Sequence, residues 1–206
     1  MPALILLPQH FCLRLVKYCG LEERFPCLAH NQKTPVQIWY PLPQEGNNMI
    51  SPSLGNLEIH EVAALIQDFI LEEPDREYAI YIGSDSQNSY YTKMVTVIAV
   101  HRLGRGGKYF YEISKYDKIK DIRKKLYTET QLSLEMAERL FEEFHKIGFN
   151  YDADNIMFCI HIDAGVGGPS GAVIPEVVGY VHSMGYECQV KPDSPIASCI
   201  ADRISK

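Results

Sequence analysis

No C-x-x-C pair occurs among the six cysteines, at positions 12, 19, 27, 159, 188 and 199, and no small secreted disulfide framework is visible. Cys159 lies in an apolar run and Cys188 and Cys199 flank others, the pattern of buried free thiols. That usage implies a reducing, cytoplasmic compartment. No apolar run approaches the roughly 18 residues that cross a bilayer, so no membrane association is expected. The opening MPALILLPQHF is apolar but has no basic leader and is broken by Pro8 and His10, which makes a poor signal peptide. Positive charge is in deficit, with 20 Lys+Arg against 26 Asp+Glu and a net charge of −6. That balance argues against a protein that coats nucleic acid nonspecifically, while a local patch still permits an enzyme that acts on it. A phosphate-cradling G-x-x-x-x-G-K-[ST] loop is also missing, which weakens a phosphatase or nucleotide-binding reading. The Gly-rich loop at 165–171 carries no basic residue and reads as a crossover turn.

What is present falls into two unequal parts. Residues 1–48 hold Pro2, Pro8, Pro26, Pro35, Pro41 and Pro43, three of the six cysteines and the single Trp39, with no sustained period beyond a short helical stretch at 4–16. Three readings stay open for this extension: an arm packed on the main domain, a disordered leader, or a translated stretch ahead of a start at Met49. His10, Cys12, Cys19, Cys27 and His30 match no zinc-ligand spacing.

From residue 49 the pattern is regular. Apolar residues at helical spacing run through 57–71, and strand-like runs follow at 78–83, 94–101 and 108–114, the last two separated by Gly104-Arg105-Gly106-Gly107 as in an antiparallel pair. A long helix is expected over 118–146, a buried strand over 155–162, a helix over 172–184 and a fifth strand over 186–190. Pro192-Asp193-Ser194-Pro195 then opens a last helix, with Asp193 or Ser194 as N-cap and proline in the first turn. This order predicts an α/β domain over 49–206: a mixed five-stranded sheet, a three-strand antiparallel meander plus two parallel strands, with helices on both faces.

The acids are placed to converge. Asp85 follows the first strand in GSDSQ (83–87), and Asp163 ends the fourth in HIDAG (161–165). Parallel neighbours bring their carboxyl ends to one crevice, and carboxylates held close repel unless a cation or proton intervenes. On the long helix, Glu129 shares its face with Leu132, Ser133, Met136, Ala137, Leu140 and Phe144, the stripe that packs on the sheet. Glu135 shares its face with Glu138, Arg139 and Glu142 and is the fallback. On the last helix Asp193 has a sufficient role as a cap, whereas Asp202 does not, so Asp202 is the better fourth acid. His161 lies on the face of Asp163, either as a partner of that acid or as a satisfied core histidine.

Between residues 102 and 125 stand nine basic residues (Arg102, Arg105, Lys108, Lys115, Lys118, Lys120, Arg123, Lys124, Lys125) against three acids. Interleaved with Tyr109, Tyr111 and Tyr116, they read either as a phosphate-tracking face or as an ordinary solvated hairpin and helix.

The segments GSDSQ (83–87), TETQLSL (128–134), HIDAG (161–165) and KPDSPIASCIADRISK (191–206) closely resemble the YkuK-like proteins, a family of predicted ribonuclease H-like nucleases. The resemblance runs from about residue 50 to 206 with the motifs in order. Ser84 stands where that family typically has threonine, which keeps the hydroxyl, and the first 48 residues have no counterpart. The wider ribonuclease H-like group is similar in carrying acids on the first strand, the following helix, the fourth strand and the last helix, roles that Asp85, Glu129, Asp163 and Asp202 match. The resemblance implies a nuclease in which these four carboxylates are both the catalytic and the metal-binding residues. Such an oxygen-rich site suits Mg²⁺ or Mn²⁺, with two ions about 3.5–4 Å apart hydrolysing phosphodiester bonds in RNA, DNA or a hybrid. It brings no established substrate, and a non-catalytic nucleic-acid or protein-binding module on the same fold is the alternative.

Overall fold

The computed structural model describes residues 48–205 apart from Val166, Pro169, Asp193 and Ser194, and without the side chains of 195–198. The chain divides into two units, Met1–Leu42 and Pro43–Lys206, and all described residues belong to the second. The readings offered for the extension, the His10–Cys27–His30 set and the Asp193 cap therefore lie outside the described residues.

Among the described residues seven strands and four helices succeed one another: β1 (Asn48–Ser51), β2 (Gly55–Glu58), α1 (Ile59–Leu71), β3 (Tyr78–Asn88), β4 (Thr92–Arg102), β5 (Gly107–Tyr116), α2 (Ile122–Lys146), β6 (Ile156–Gly165), α3 (Ile174–Ser183), β7 (Cys188–Lys191) and α4 (Pro195–Ser205). One mixed sheet has the order β2-β1-β5-β4-β3-β6-β7. β3, β4 and β5 form the expected antiparallel meander, and β6 and β7 continue the sheet in parallel with β3.

The five-stranded expectation is corrected by the β1–β2 hairpin, which adds two short strands beside β5. Strands of four residues carry too little alternation to register as a period. The turn is nevertheless written in Ser51-Pro52-Ser53-Leu54-Gly55, with Gly55 at φ 79°, a conformation that costs glycine nothing. The hairpin takes Leu57, which pairs with Met49, so the helix expected from residue 57 starts at Ile59. There Glu58 and Glu61 form a reciprocal capping box. α2 likewise begins at Ile122, four residues later than expected, because Asp121 accepts a hydrogen bond from the Lys124 backbone N–H at 2.6 Å; such a cap is worth about 1 kcal/mol.

Strand alternation sorts the core into two layers. Tyr78, Ile80 and Ile82 of β3, Ile98 and Val100 of β4, and Ile160 and Ile162 of β6 face α1, α2 and α3, packing on Val62, Ile66, Leu140, Phe144 and Val177. Ala79 and Tyr81, Val95, Val97 and Ala99, and Cys159 face the other way, onto Ala201, Ile200 and Ile204 of α4. Met49 is fully buried in the first layer. Of the three described cysteines only Cys159 is buried; Cys188 is half-buried and Cys199 exposed, because the apolar stripe of α4 falls on Ile200, Ala201 and Ile204 instead. Among the described residues no helix is long and apolar enough to cross a membrane.

Candidate active site

β3 runs past the expected turn to Asn88, paired to β4 along its whole length. Its parallel pairing with β6, however, ends at Ser84↔Ile162. Asp85 and Asp163 are the next residue on each strand, so both carboxyls emerge where the two strands part, on the face covered by α4. They are close enough to hydrogen-bond to each other. Ser205 near the end of α4 donates to Asp85 Oδ2 at 3.0 Å. Burial first, then the Asp163 charge, pushes the Asp85 carboxyl up to about 6, against the opposing Ser205 hydrogen bond.

β6 bulges between Ile162 and Gly165, where its register with β7 shifts and Gly165 comes opposite Lys191. A bulge re-aims the side chains within it, here Asp163. The Lys191 ammonium is ion-paired with Asp163 Oδ1, and it also feels the charges of Asp85 and Asp202. Asp202 is half-buried on α4, between Ala201 on the sheet and exposed Arg203.

Glu129 reaches the same end of the sheet from the opposite face. Only 6% exposed, it accepts a hydrogen bond from Ser86 Oγ at 2.6 Å and lies 4.0 Å from the Lys125 ammonium. Burial dominates and pushes its carboxyl up to about 8, with the charges of Asp85 and Asp163 adding to the rise. The Ser86 bond and Lys125 work against that rise without cancelling it. Lys125 Nζ itself donates to the Ser86 carbonyl at 2.8 Å. Glu135, the fallback acid, sits elsewhere, hydrogen-bonded by Gln131 Nε2 at 2.8 Å.

The structure thus brings Asp85 and Asp163 together; the charges of both reach Glu129 on the opposite face, and Asp202 acts with them on the Lys191 ammonium. Among the described residues no three His, Cys, Asp or Glu side chains stand together as a ready metal cage. The reason lies in strand parity: Ser86, which holds Glu129, points to the opposite face from Asp85. His161 is a core residue. Its ring packs tilted against Tyr81 with centroids 4.3 Å apart, and burial pushes its imidazole down to about 4 against a hydrogen bond with Gln189.

The basic run divides in two. Arg102 lies opposite Tyr78, at the far end of β3 from Asp85. It is buried and donates to Glu73 at 2.6 Å, Glu72 at 3.0 Å, the Phe69 carbonyl at 2.8 Å and the Tyr78 hydroxyl at 3.0 Å. Arg105 pairs with the same Glu73, and Lys108 sits over the Phe69 ring. These three serve the packing of α1 rather than the acidic end. Lys115, Lys118, Lys120, Arg123, Lys124 and Lys125 are at the Asp85 end. There the loop before α2 is pinned to the β3–β4 hairpin by Asn88 Nδ2 to the Ile119 carbonyl (2.8 Å) and by the Ile119 N–H to Thr92 Oγ1 (2.8 Å). Arg123 is paired with Glu176.

The tyrosines also redistribute. Tyr109 and Tyr111 pack against the α4-side core, and burial pushes the Tyr116 hydroxyl up to about 12. The exposed rings are Tyr90, 99% exposed at the hairpin tip, and Tyr91, which lies 5.2 Å under the Lys115 ammonium. Sequence reasoning missed Ser86, Lys191, Ser205 and Tyr90. Only Lys191 carried a signal, as a charged residue closing a parallel strand whose neighbours end in acids.

A mixed sheet with a three-strand meander, two further parallel strands and an acid pair at the strand ends defines a ribonuclease H-like protein. The model of the family described as ribonuclease H-like matches residues 61–206, and the chain belongs to that family. It is 30% identical over 162 residues to the uncharacterized protein YkuK of Bacillus subtilis (strain 168), covering 75% of this chain and 94% of that relative. No solved structure matches it.

Proposed function

We propose that the chain is a metal-dependent nuclease, hydrolysing phosphodiester bonds in nucleic acid at the end of the sheet where β3 and β6 part. The observation that carries this reading is the Asp85–Asp163 pair, two carboxyls held within hydrogen-bonding range with one pushed up to about 6 by burial and by its partner. Such a pair is relieved by a proton or by a cation, and a donor set made only of carboxylate oxygens suits hard ions such as Mg²⁺ or Mn²⁺. Asp85 and Asp163 would share the ion, with Asp202 and Glu129 as its outer ligands. Bound there, divalent metal supplies an activated water and stabilises the leaving oxygen.

The chain's own residues do the rest. Ser205 orients Asp85 through its 3.0 Å hydrogen bond, and Ser86 orients Glu129. Lys115, Lys118, Lys120 and Lys124 offer positive charge to phosphates beside the acids, while Lys125 is held by the Ser86 carbonyl and Glu129, and Tyr90 and Tyr91 offer faces on which bases stack. Arg102 and Arg105 drop out of this interface, since their guanidinium groups are committed to Glu72 and Glu73.

A second reading, a binding module without turnover, is favoured by the separation of Glu129 from the aspartate pair and by the absence, among the described residues, of a three-residue cage. The test is incubation of purified protein with single-stranded, duplex and hybrid substrates, with and without Mg²⁺ or Mn²⁺. Metal-dependent cleavage that Asp85→Asn lowers by orders of magnitude supports the nuclease. Nucleic-acid affinity without cleavage, unchanged in Asp85→Asn, supports the module.

A further inference from the structure

Lys191 has no place in a site of four carboxylates and two metal ions. It closes β7, the strand next to β6, and its ammonium is paired with Asp163 Oδ1. Beside this contact β6 bulges between Ile162 and Gly165, so that Gly165 comes into register with Lys191. Asp85 and Asp202 act on the same ammonium. On the other side of the sheet Lys125 stands 4.0 Å from Glu129.

We infer that the Lys191 ammonium occupies the role of a second metal ion, so that the site takes a single divalent cation at the Asp85–Asp163 pair. This deepens the nuclease reading and rests on it. Fully ionised, Asp85, Glu129, Asp163 and Asp202 carry four negative charges, and Lys125 and Lys191 return two positive ones. One divalent ion closes that sum to zero, whereas two would leave a double positive excess in a half-buried place, where uncompensated charge is costly. A second ion would also need an oxygen of Asp163 that already binds an ammonium. Lys191 supplies fixed positive charge to a phosphate brought to the pair, the electrostatic service otherwise expected of the second ion.

The experiment counts Mn²⁺ bound to the full chain without substrate, by calorimetric titration and by the electron paramagnetic resonance signal of the free ion. The parent is expected to bind one ion. Lys191→Met is expected to bind that ion roughly tenfold tighter or to take up a second, since a like charge beside the site is gone. Lys191→Arg, which keeps the charge, is expected to bind one, and melting curves establish that each variant is folded. Two ions on the parent, or a folded Lys191→Met with unchanged count and affinity, overturns the inference and leaves the nuclease reading standing. No ion on the parent overturns both. The count on the parent needs no variant, so it decides the question even where Lys191→Met fails to fold.

Discussion

Asp85 and Ser86 are adjacent in β3 and point to opposite faces of the sheet, yet both serve the same end of it. Asp85 faces α4, where Ser205 donates to it; Ser86 faces α2, where it donates to Glu129. The period of two along a strand therefore splits the acidic site into an aspartate side and a glutamate side, joined over the strand ends by charge. Each side carries its own lysine, Lys191 with Asp163 and Lys125 with Glu129.

Ser86→Ala tests the glutamate side. The hydroxyl donates to a carboxylate that is almost wholly buried, and a hydrogen bond to a charged group of that kind contributes about 1.5–3 kcal/mol. The loss is expected to be full at pH 9, where Glu129 is ionised, and smaller at pH 6, where its carboxyl holds its own proton. Urea denaturation of metal-free protein at the two pH values measures the difference. An equal loss at both would show that the bond does not depend on the glutamate charge.

Three groups at and beside the acidic end make the metal-free protein's stability depend on pH. Asp85 and Glu129 have folded values pushed up to about 6 and about 8, so the folded state holds protons that the unfolded chain releases. The stability they contribute is fully present below the ordinary carboxylate range and is lost as pH rises through those values. His161, pushed down to about 4, acts in the reverse sense, adding stability as pH rises from about 4 towards 6.5. Above pH 6.5 only the two acids among these three still titrate. The melting temperature of metal-free protein should therefore fall by several degrees between pH 6.5 and 8.5. Lys125 and Ser86 limit the fall, and Glu129→Gln should largely remove it. A flat profile in the parent would count against a buried Glu129.

Most of the fold was legible because its elements are long. The meander, the long α2 and the two later strands each carry enough residues for apolar periodicity to declare itself. The β1–β2 hairpin does not, and it shifts the start of α1 by taking Leu57. The acid pair was readable from Asp85 and Asp163 closing apolar runs, and Glu129 from its place on the apolar stripe of α2. The parity that separates Glu129 from Asp85 was not, because it depends on β3 continuing to Asn88 instead of turning at residue 85. The basic run misled for another reason. Residues close in sequence along a hairpin end up at opposite ends of an 11-residue strand, so a charge count over that whole stretch joined two unrelated surfaces.

Asp85→Asn should stabilise the metal-free protein or leave it unchanged. The substitution removes a negative charge from a pair of carboxyls within hydrogen-bonding range and keeps an oxygen to accept from Ser205. Desolvation and repulsion are what raise the Asp85 value, and both vanish with the charge. The same change should weaken stabilisation by Mg²⁺ or Mn²⁺. Thermal unfolding of both proteins across a metal titration reads both effects: the parent's melting temperature should rise with metal, and that of the variant should start as high and rise less. A variant that melts well below the parent without metal would mean that the ionised carboxylate is structural.

Arg102→Ala should separate the two halves of the basic run. Arg102 donates four hydrogen bonds, to Glu72, Glu73, the Phe69 carbonyl and the Tyr78 hydroxyl, and covers the Phe69 ring at 4.2 Å. Its removal takes one donor from Glu73, which keeps Arg76 and Arg105, and one from the Phe69 carbonyl, which keeps the Tyr78 hydroxyl at 3.3 Å; weakening one side of such a set destabilises a fold. The melting temperature should fall by several degrees, and the partial exposure of the two glutamates keeps the fall from being larger. Under conditions where the variant is still folded, its affinity for nucleic acid should match the parent's, because the guanidinium is at the wrong end of β3 and already occupied. Replacing Lys118, Lys120 and Lys124 together with alanine should do the opposite. All three are exposed, so stability should barely move, while binding weakens and its dependence on salt becomes shallower by roughly 0.7–0.9 in logarithmic slope for each phosphate no longer neutralised. Fluorescence anisotropy with a labelled oligonucleotide at several salt concentrations, alongside thermal unfolding, reads both variants. Loss of binding in a folded Arg102→Ala with no effect of the triple lysine change would move the interface to the α1 end, away from Asp85 and Asp163.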